Sequence, residues 1–111
     1  MEIEVTKTGD AVLLVASGEI VSRDDQQALS QAVGEKLADG EQSFVMDLSQ
    51  VPYVSSLGIA ALVAVYVKTD RAGAALRVVN PRPRVASILE MTKVAGFFRT
   101  YSSVEEALTA D

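Results

Sequence analysis

The chain has 111 residues, 49% of them hydrophobic, with 10 basic against 15 acidic side chains and a net charge of -5. That length suits a single domain spanning residues 1–111, and the lack of any cysteine excludes disulfides, thiolate metal sites and thiol nucleophiles. The acidic balance opposes direct binding of nucleic acid or anionic lipid, and the longest apolar run, Ile59 to Val67, is too short for insertion into a bilayer, which takes about 20 residues.

Met1-Glu2-Ile3-Glu4-Val5 has no basic stretch leading into an apolar one, so a cytoplasmic chain is expected. Ile3 and Val5, then Leu13 and Val15, alternate with other residues on either side of Thr8-Gly9-Asp10, the pattern of two half-buried strands in a hairpin. Gly18 ends the second strand, and Ser22 with Asp25 resembles a capping box. Ala28, Leu29, Ala32, Val33 and Leu37 follow at helical spacing, and Asp39-Gly40 stops that helix. The apolar run Ser43 to Leu48 reads as the central strand of a sheet. After Pro52, Ser55 and Ser56 open a helix with Ile59, Leu62, Val63, Tyr66 and Val67 on one face, ending at Gly73.

Ala75 to Val79 reads as a further strand, broken by Asn80-Pro81, and a short helix after Pro83 carries Val85, Ile88 and Leu89. Gly96 turns the chain into an edge strand from Phe97 to Tyr101, and Ser102 with Glu105 caps a terminal helix through Ala107 and Leu108. The order predicts an α/β fold with a small mixed sheet: an N-terminal hairpin, parallel crossover strands and about four helices.

Much chemistry is excluded. Without histidine no Ser-His-Asp triad can be assembled. The adjacent carboxylates Asp24-Asp25 and Glu105-Glu106 lie near helix starts, where negative charge is stabilised anyway. Neither GxxxxGK nor GxGxxG occurs, so no nucleotide cofactor is implied, and no metal site is expected. Asp47 reads as a strand-end carboxylate accepting hydrogen bonds from the turn that follows it.

The informative stretch runs from Asp47 to Ile59, where a buried strand, a turn, paired serines and a helix start follow one another. On one reading Ser55 and Ser56 only cap the helix. On the other, a serine there is a charge switch, because phosphate adds about 1.5 to 2 negative charges beside free backbone N–H groups.

Gly18-Glu19-Ile20, the segment from Asp47-Leu48-Ser49 to Gly58, the strand before Asn80-Pro81, and Ile88-Leu89 through Val94-Ala95-Gly96-Phe97 together resemble the STAS family. The resemblance is strongest to bacterial anti-sigma factor antagonists, the anti-anti-sigma factors, and covers nearly the whole chain. It implies a STAS fold and a non-enzymatic module that binds an anti-sigma factor acting also as a serine kinase, with a phosphatase resetting the switch. Counted back from Gly58, the family's phosphoserine falls on Ser56, with Ser55 as the alternative. The implied contact surface comprises Ser55, Ser56, Leu57 and Gly58 with Ile20, Val21 and Ser22. Two departures border it: the family's Asp before the phosphoserine is Ser55 here, and the Asp of its Gly-Glu-Leu-Asp stretch is Val21.

Two other roles are compatible with the same residues. One is a non-switching STAS scaffold, or a subunit of a stress-signalling or lipid-transport ABC complex. The other is a small enzyme or nucleotide-binding protein using Asp47, Ser56 and Lys68 around a strand-end crevice. Arg82 and Arg84, beside Pro81 and Pro83, read as a solvated loop.

Overall fold

A computed structural model describes residues 1–92, 96 and 98–109. The elements run β1 (Glu2–Thr8), β2 (Ala11–Ser17), α1 (Arg23–Ala38), β3 (Ser43–Gln50), α2 (Ser56–Arg71), β4 (Ala75–Val79), α3 (Pro83–Met91), β5 (Arg99–Tyr101) and α4 (Val104–Thr109). The five strands lie in chain order, β1-β2-β3-β4-β5. β1 and β2 are antiparallel and every later pair is parallel. This is the expected mixed sheet with β3 at its centre.

The hairpin closes through Gly9 and Asp10, with φ of +59° at Gly9, the first central position, where a type II′ turn favours glycine. Parallel neighbours need crossovers, and right-handed crossovers stepping always in one direction put the connecting helices on one face. Leu29 and Val33 of α1, Ala61, Leu62 and Val65 of α2, and Val85 and Leu89 of α3 accordingly share one buried cluster with Val12, Leu14, Phe44 and Met46. Phe44 has no exposed surface, and truncating such a side chain to alanine costs about 3–5 kcal/mol. The opposite face carries a smaller cluster, in which Ala107 of α4 meets Ala11, Val45 and Val79.

Several inward faces differ from those read off the periodicity. In β2 the residues buried under the helices are Val12, Leu14 and Ala16; on the other face Ala11 is buried against α4, whereas Leu13 and Val15 are half-buried. β2 is an interior strand that is apolar at every position from Ala11 to Ala16, so alternation could not choose between its faces. The same ambiguity affects α2, whose buried residues are Gly58, Ala61, Leu62, Val65 and Thr69. Val67, expected inside, is 37% exposed. Close approach to the sheet favours the stripe with the small residues, which periodicity does not weigh.

At the C-terminal end, Ser103 rather than Ser102 accepts the amide that opens α4, from Glu106 at 3.1 Å. Ser102 instead donates its hydroxyl to the Glu106 carboxylate at 2.7 Å. β5 begins at Arg99, and Lys93, Val94, Ala95 and Phe97 of the family-like segment lie outside the described residues.

Candidate functional site

At the carboxyl ends of β2 and β3 the chain departs from a regular ladder, and that departure builds the site. The pairing of β2 with β3 shifts between Val15, opposite Asp47, and Ser17, opposite Gln50, so β3 holds one extra residue there. Both backbone polar groups of Ser49 beside this bulge are taken up by side chains. Asp47 Oδ1 accepts its amide at 2.8 Å, and Arg82 Nε donates to its carbonyl at 2.8 Å. Asp47 therefore has the structural role expected of it. Arg82 and Arg84 are solvent-exposed as expected, but both are engaged: Arg82, the N-cap of α3, ties down the bulge, and Arg84, in the first turn of α3, stacks 4.7 Å over the Tyr53 ring.

Beyond the bulge the two strands continue as loops in register. Gly18 donates to Gln50 O, Ile20 donates to Tyr53 O, and Ser55 donates to Ile20 O, at 3.0–3.1 Å. Ile20 and Val54 form an isolated parallel bridge. These bonds place the segment from Ile20 to Ser22 beside the start of α2, so residues far apart in sequence meet there. Gly58 is required there: a Cβ on it would collide with the Ile20 carbonyl and lie 3.1 Å from Val54 Cβ.

The two serines are treated differently. Ser55 is the N-cap of α2, with extended backbone (φ -89°, ψ -176°), and its hydroxyl accepts the Gly58 amide at 3.3 Å. Ser56, the first residue of the helix, is exposed, as is Leu57 at 39%. The first turn of α2 contains no acidic residue. Of the expected contact residues, Val21 is 37% exposed and Ser22 is half-buried, but Ile20 has no exposed surface and Gly58 is buried. These last two hold the platform together from inside and do not present side chains to a visitor.

Asp25 is the contributor that the sequence showed only as a helix cap. Its Oδ2 accepts the amides of Val21 at 2.9 Å and Ser22 at 3.1 Å, while the Ser22 hydroxyl accepts the Asp25 amide at 3.1 Å. The hydrogen bond from Val21, ahead of those from Ser22 and the nearby Met1 ammonium, holds the Asp25 carboxyl below its ordinary 3.8 despite its burial. Asp25 thus fixes the loop bearing Val21 and neutralises the start of α1.

The enzyme-like grouping of Asp47, Ser56 and Lys68 is not assembled. Asp47 is occupied by Ser49, and Lys68 lies roughly 18 Å from Ser56 along the α2 axis at about 1.5 Å per residue. Lys68 Nζ donates instead to Ser30 Oγ at 2.8 Å and Ser30 O at 3.2 Å, tying α2 to α1. Among the described residues no group of three or more Asp or Glu side chains is placed to hold a metal ion, and no helix is long and apolar enough to cross a membrane.

Comparison with known proteins defines the class: residues 2–107 match the STAS domain, and the chain belongs to that family. Within it, the chain resembles anti-sigma factor antagonists. It is 30% identical to one from Mycobacterium paratuberculosis, with a TM-score of 0.82 over 97% of this chain and 91% of that one. SpoIIAA in its unphosphorylated form shares the fold at 12% identity, with a TM-score of 0.78 over 96% of this chain and 93% of that one. The murine anion transporter Slc26a9 also contains it, at 15% identity and a TM-score of 0.79 over 93% of this chain but 18% of the transporter. No curated protein matches by sequence. Membership places the chain among binding and regulatory domains, not catalysts.

Proposed function

We propose that this STAS domain, residues 1–111, is an anti-sigma factor antagonist. It binds an anti-sigma factor that is also a serine kinase, through the start of α2 and the adjoining Val21–Ser22 loop. Phosphorylation of Ser56 ends that binding, a phosphatase restores it, and sigma-factor-dependent transcription in the cytoplasm follows the cycle. The observation that carries this reading is the division of labour between neighbouring serines: Ser55 is engaged as a cap and Ser56 is exposed. A relative, SpoIIAA, is described in both unphosphorylated and phosphorylated forms.

The physics of the switch follows from where the charge is added. The amide-rich, acid-free first turn of α2 stabilises a phosphate, so the domain itself tolerates modification. A partner pressed against Ser56 has to desolvate the new charge or leave. The domain supplies the hydroxyl and the partner supplies ATP and magnesium.

The test is to incubate the chain with each anti-sigma serine kinase of its host, with Mg-ATP, and to map phosphate by mass spectrometry. Label on Ser56, none on Ser56→Ala, and capture weakened at least tenfold by Ser56→Glu is the expected result. Full labelling of Ser56→Ala overturns the site. The alternative role, a non-switching scaffold or a subunit of a stress-signalling or lipid-transport ABC complex, is favoured by Val21 and Ser55 standing where the family has acids. Co-purification with a transporter ATPase that Ser56→Glu leaves intact selects it.

A further inference from the structure

The outward side of α2 is unlike the rest of this acidic chain. From Leu48 to Thr69 the sequence has no Asp or Glu, although the chain carries 15 of them. Leu57 is 39% and Val67 37% exposed, Ala60 is exposed, and Ala64 is half-buried, so an apolar ridge runs down the helix from the Ser56 end. Beside it lies a cleft walled by Leu57 and Ala64 on α2 and by Arg23, Gln26, Gln27 and Ser30 on α1. The cleft continues to Lys68, whose ammonium sits over Gly34, where a Cβ would approach it to 3.2 Å. Glu35 borders only this far continuation, and its Oε1 accepts from Gln31 Nε2 at 3.1 Å.

An apolar centre, neutral amide walls and cations at the edge are the composition of a protein-docking patch, in which charge is depleted at the core and steers from the rim. We propose that the α1–α2 face docks a partner helix whose apolar strip is edged by carboxylates, laid along the cleft between Arg23 and Lys68. The overall charge of -5 repels such a partner elsewhere, so attraction is confined to this face and sets the orientation. A second copy is a poor occupant, because a two-fold contact sets this face against itself and brings only Glu35, at the far end of the cleft and already bonded to Gln31, for the two cations Arg23 and Lys68. Identifying the partner with the anti-sigma kinase rests on the reading above; the surface does not.

The test uses two synthetic amphipathic peptides of about 18 residues with the same leucine face, one flanked by glutamates and the other by lysines, titrated into the 15N-labelled chain. The expected result is perturbation of α1 and α2 amides along the cleft by the glutamate peptide alone. That affinity falls at least tenfold in Val67→Glu and in Gln27→Glu, with both variants keeping the parent's circular dichroism. Equal binding of both peptides, binding of neither, or perturbation centred on the hairpin or α4 overturns the proposal. So does concentration-dependent dimerisation through the same residues, or adhesion of this face to phosphatidylglycerol vesicles. Neither peptide is a kinase, so failure here leaves the Ser56 assignment standing, and failure to label Ser56 leaves this surface standing.

Discussion

The amino ends of α1 and α2 lie side by side, joined through the bridge between Ile20 and Val54, yet they are finished in opposite ways. α1 begins with a full capping box, Ser22 and Asp25 satisfying each other's amides, and has Asp24 and Asp25 in its first turn. α2 begins with one serine cap and no acid. The first end is closed electrically by its own carboxylates and serves as a fixture. The second retains the helix's positive end and can accept added charge. Two helix starts with similar serine signals thus do different work, and the difference lies in the carboxylates around them.

The largest effect is expected where the two ends touch. Gly58→Ala drives a methyl group into the Ile20 carbonyl, so a loss of about 2–3 kcal/mol in urea unfolding is expected, with amide shifts concentrated at residues 20–22 and 54–58. Unchanged stability would mean that the two starts are not rigidly coupled.

Next is the closed end itself. Asp25→Asn removes the anionic acceptor of two amides and is expected to cost about 1–2 kcal/mol near neutral pH. Because the folded-state pKa of Asp25 is lowered, its contribution is complete above the ordinary value of 3.8 and is lost as pH falls below it toward the folded value. Acid titration of stability should therefore show a steeper loss below 3.8 in the parent than in Asp25→Asn.

The serine pair sharpens the contrast at the open end. Ser55→Ala loses a cap and should cost about 1 kcal/mol, whereas Ser56→Ala should change stability by less than about 0.5 kcal/mol. Equal costs in thermal melts would contradict the division of roles. The smallest effect belongs to the support behind Tyr53: Arg84→Gln removes the stacked guanidinium and should cost about 0.5–1 kcal/mol.

Much of this architecture could be read from residues. Turn glycines, the Ser22–Asp25 spacing and the apolar run of β3 each carry a local physical signal, and the observed elements follow them closely. What stayed hidden was orientation. β2 and α2 are apolar on more than one side, so only the tertiary fit of small residues such as Ala61 and Gly58 decides which side is buried. The candidate site was legible as a cluster of names, because Ser56 stands two residues before a recognisable glycine, Gly58. Its mechanics were not: the β3 bulge, held by Asp47 and Arg82, depends on contacts across the sheet that spacing alone cannot reveal.

The strand order also bears on how the molecule comes into being. Since each strand is added next to the one made just before it, none has to be inserted between two that are already zipped together. A nascent chain leaving the ribosome can therefore grow this sheet by accretion at one edge, with the serine-bearing helix laid down before the last two strands are synthesised.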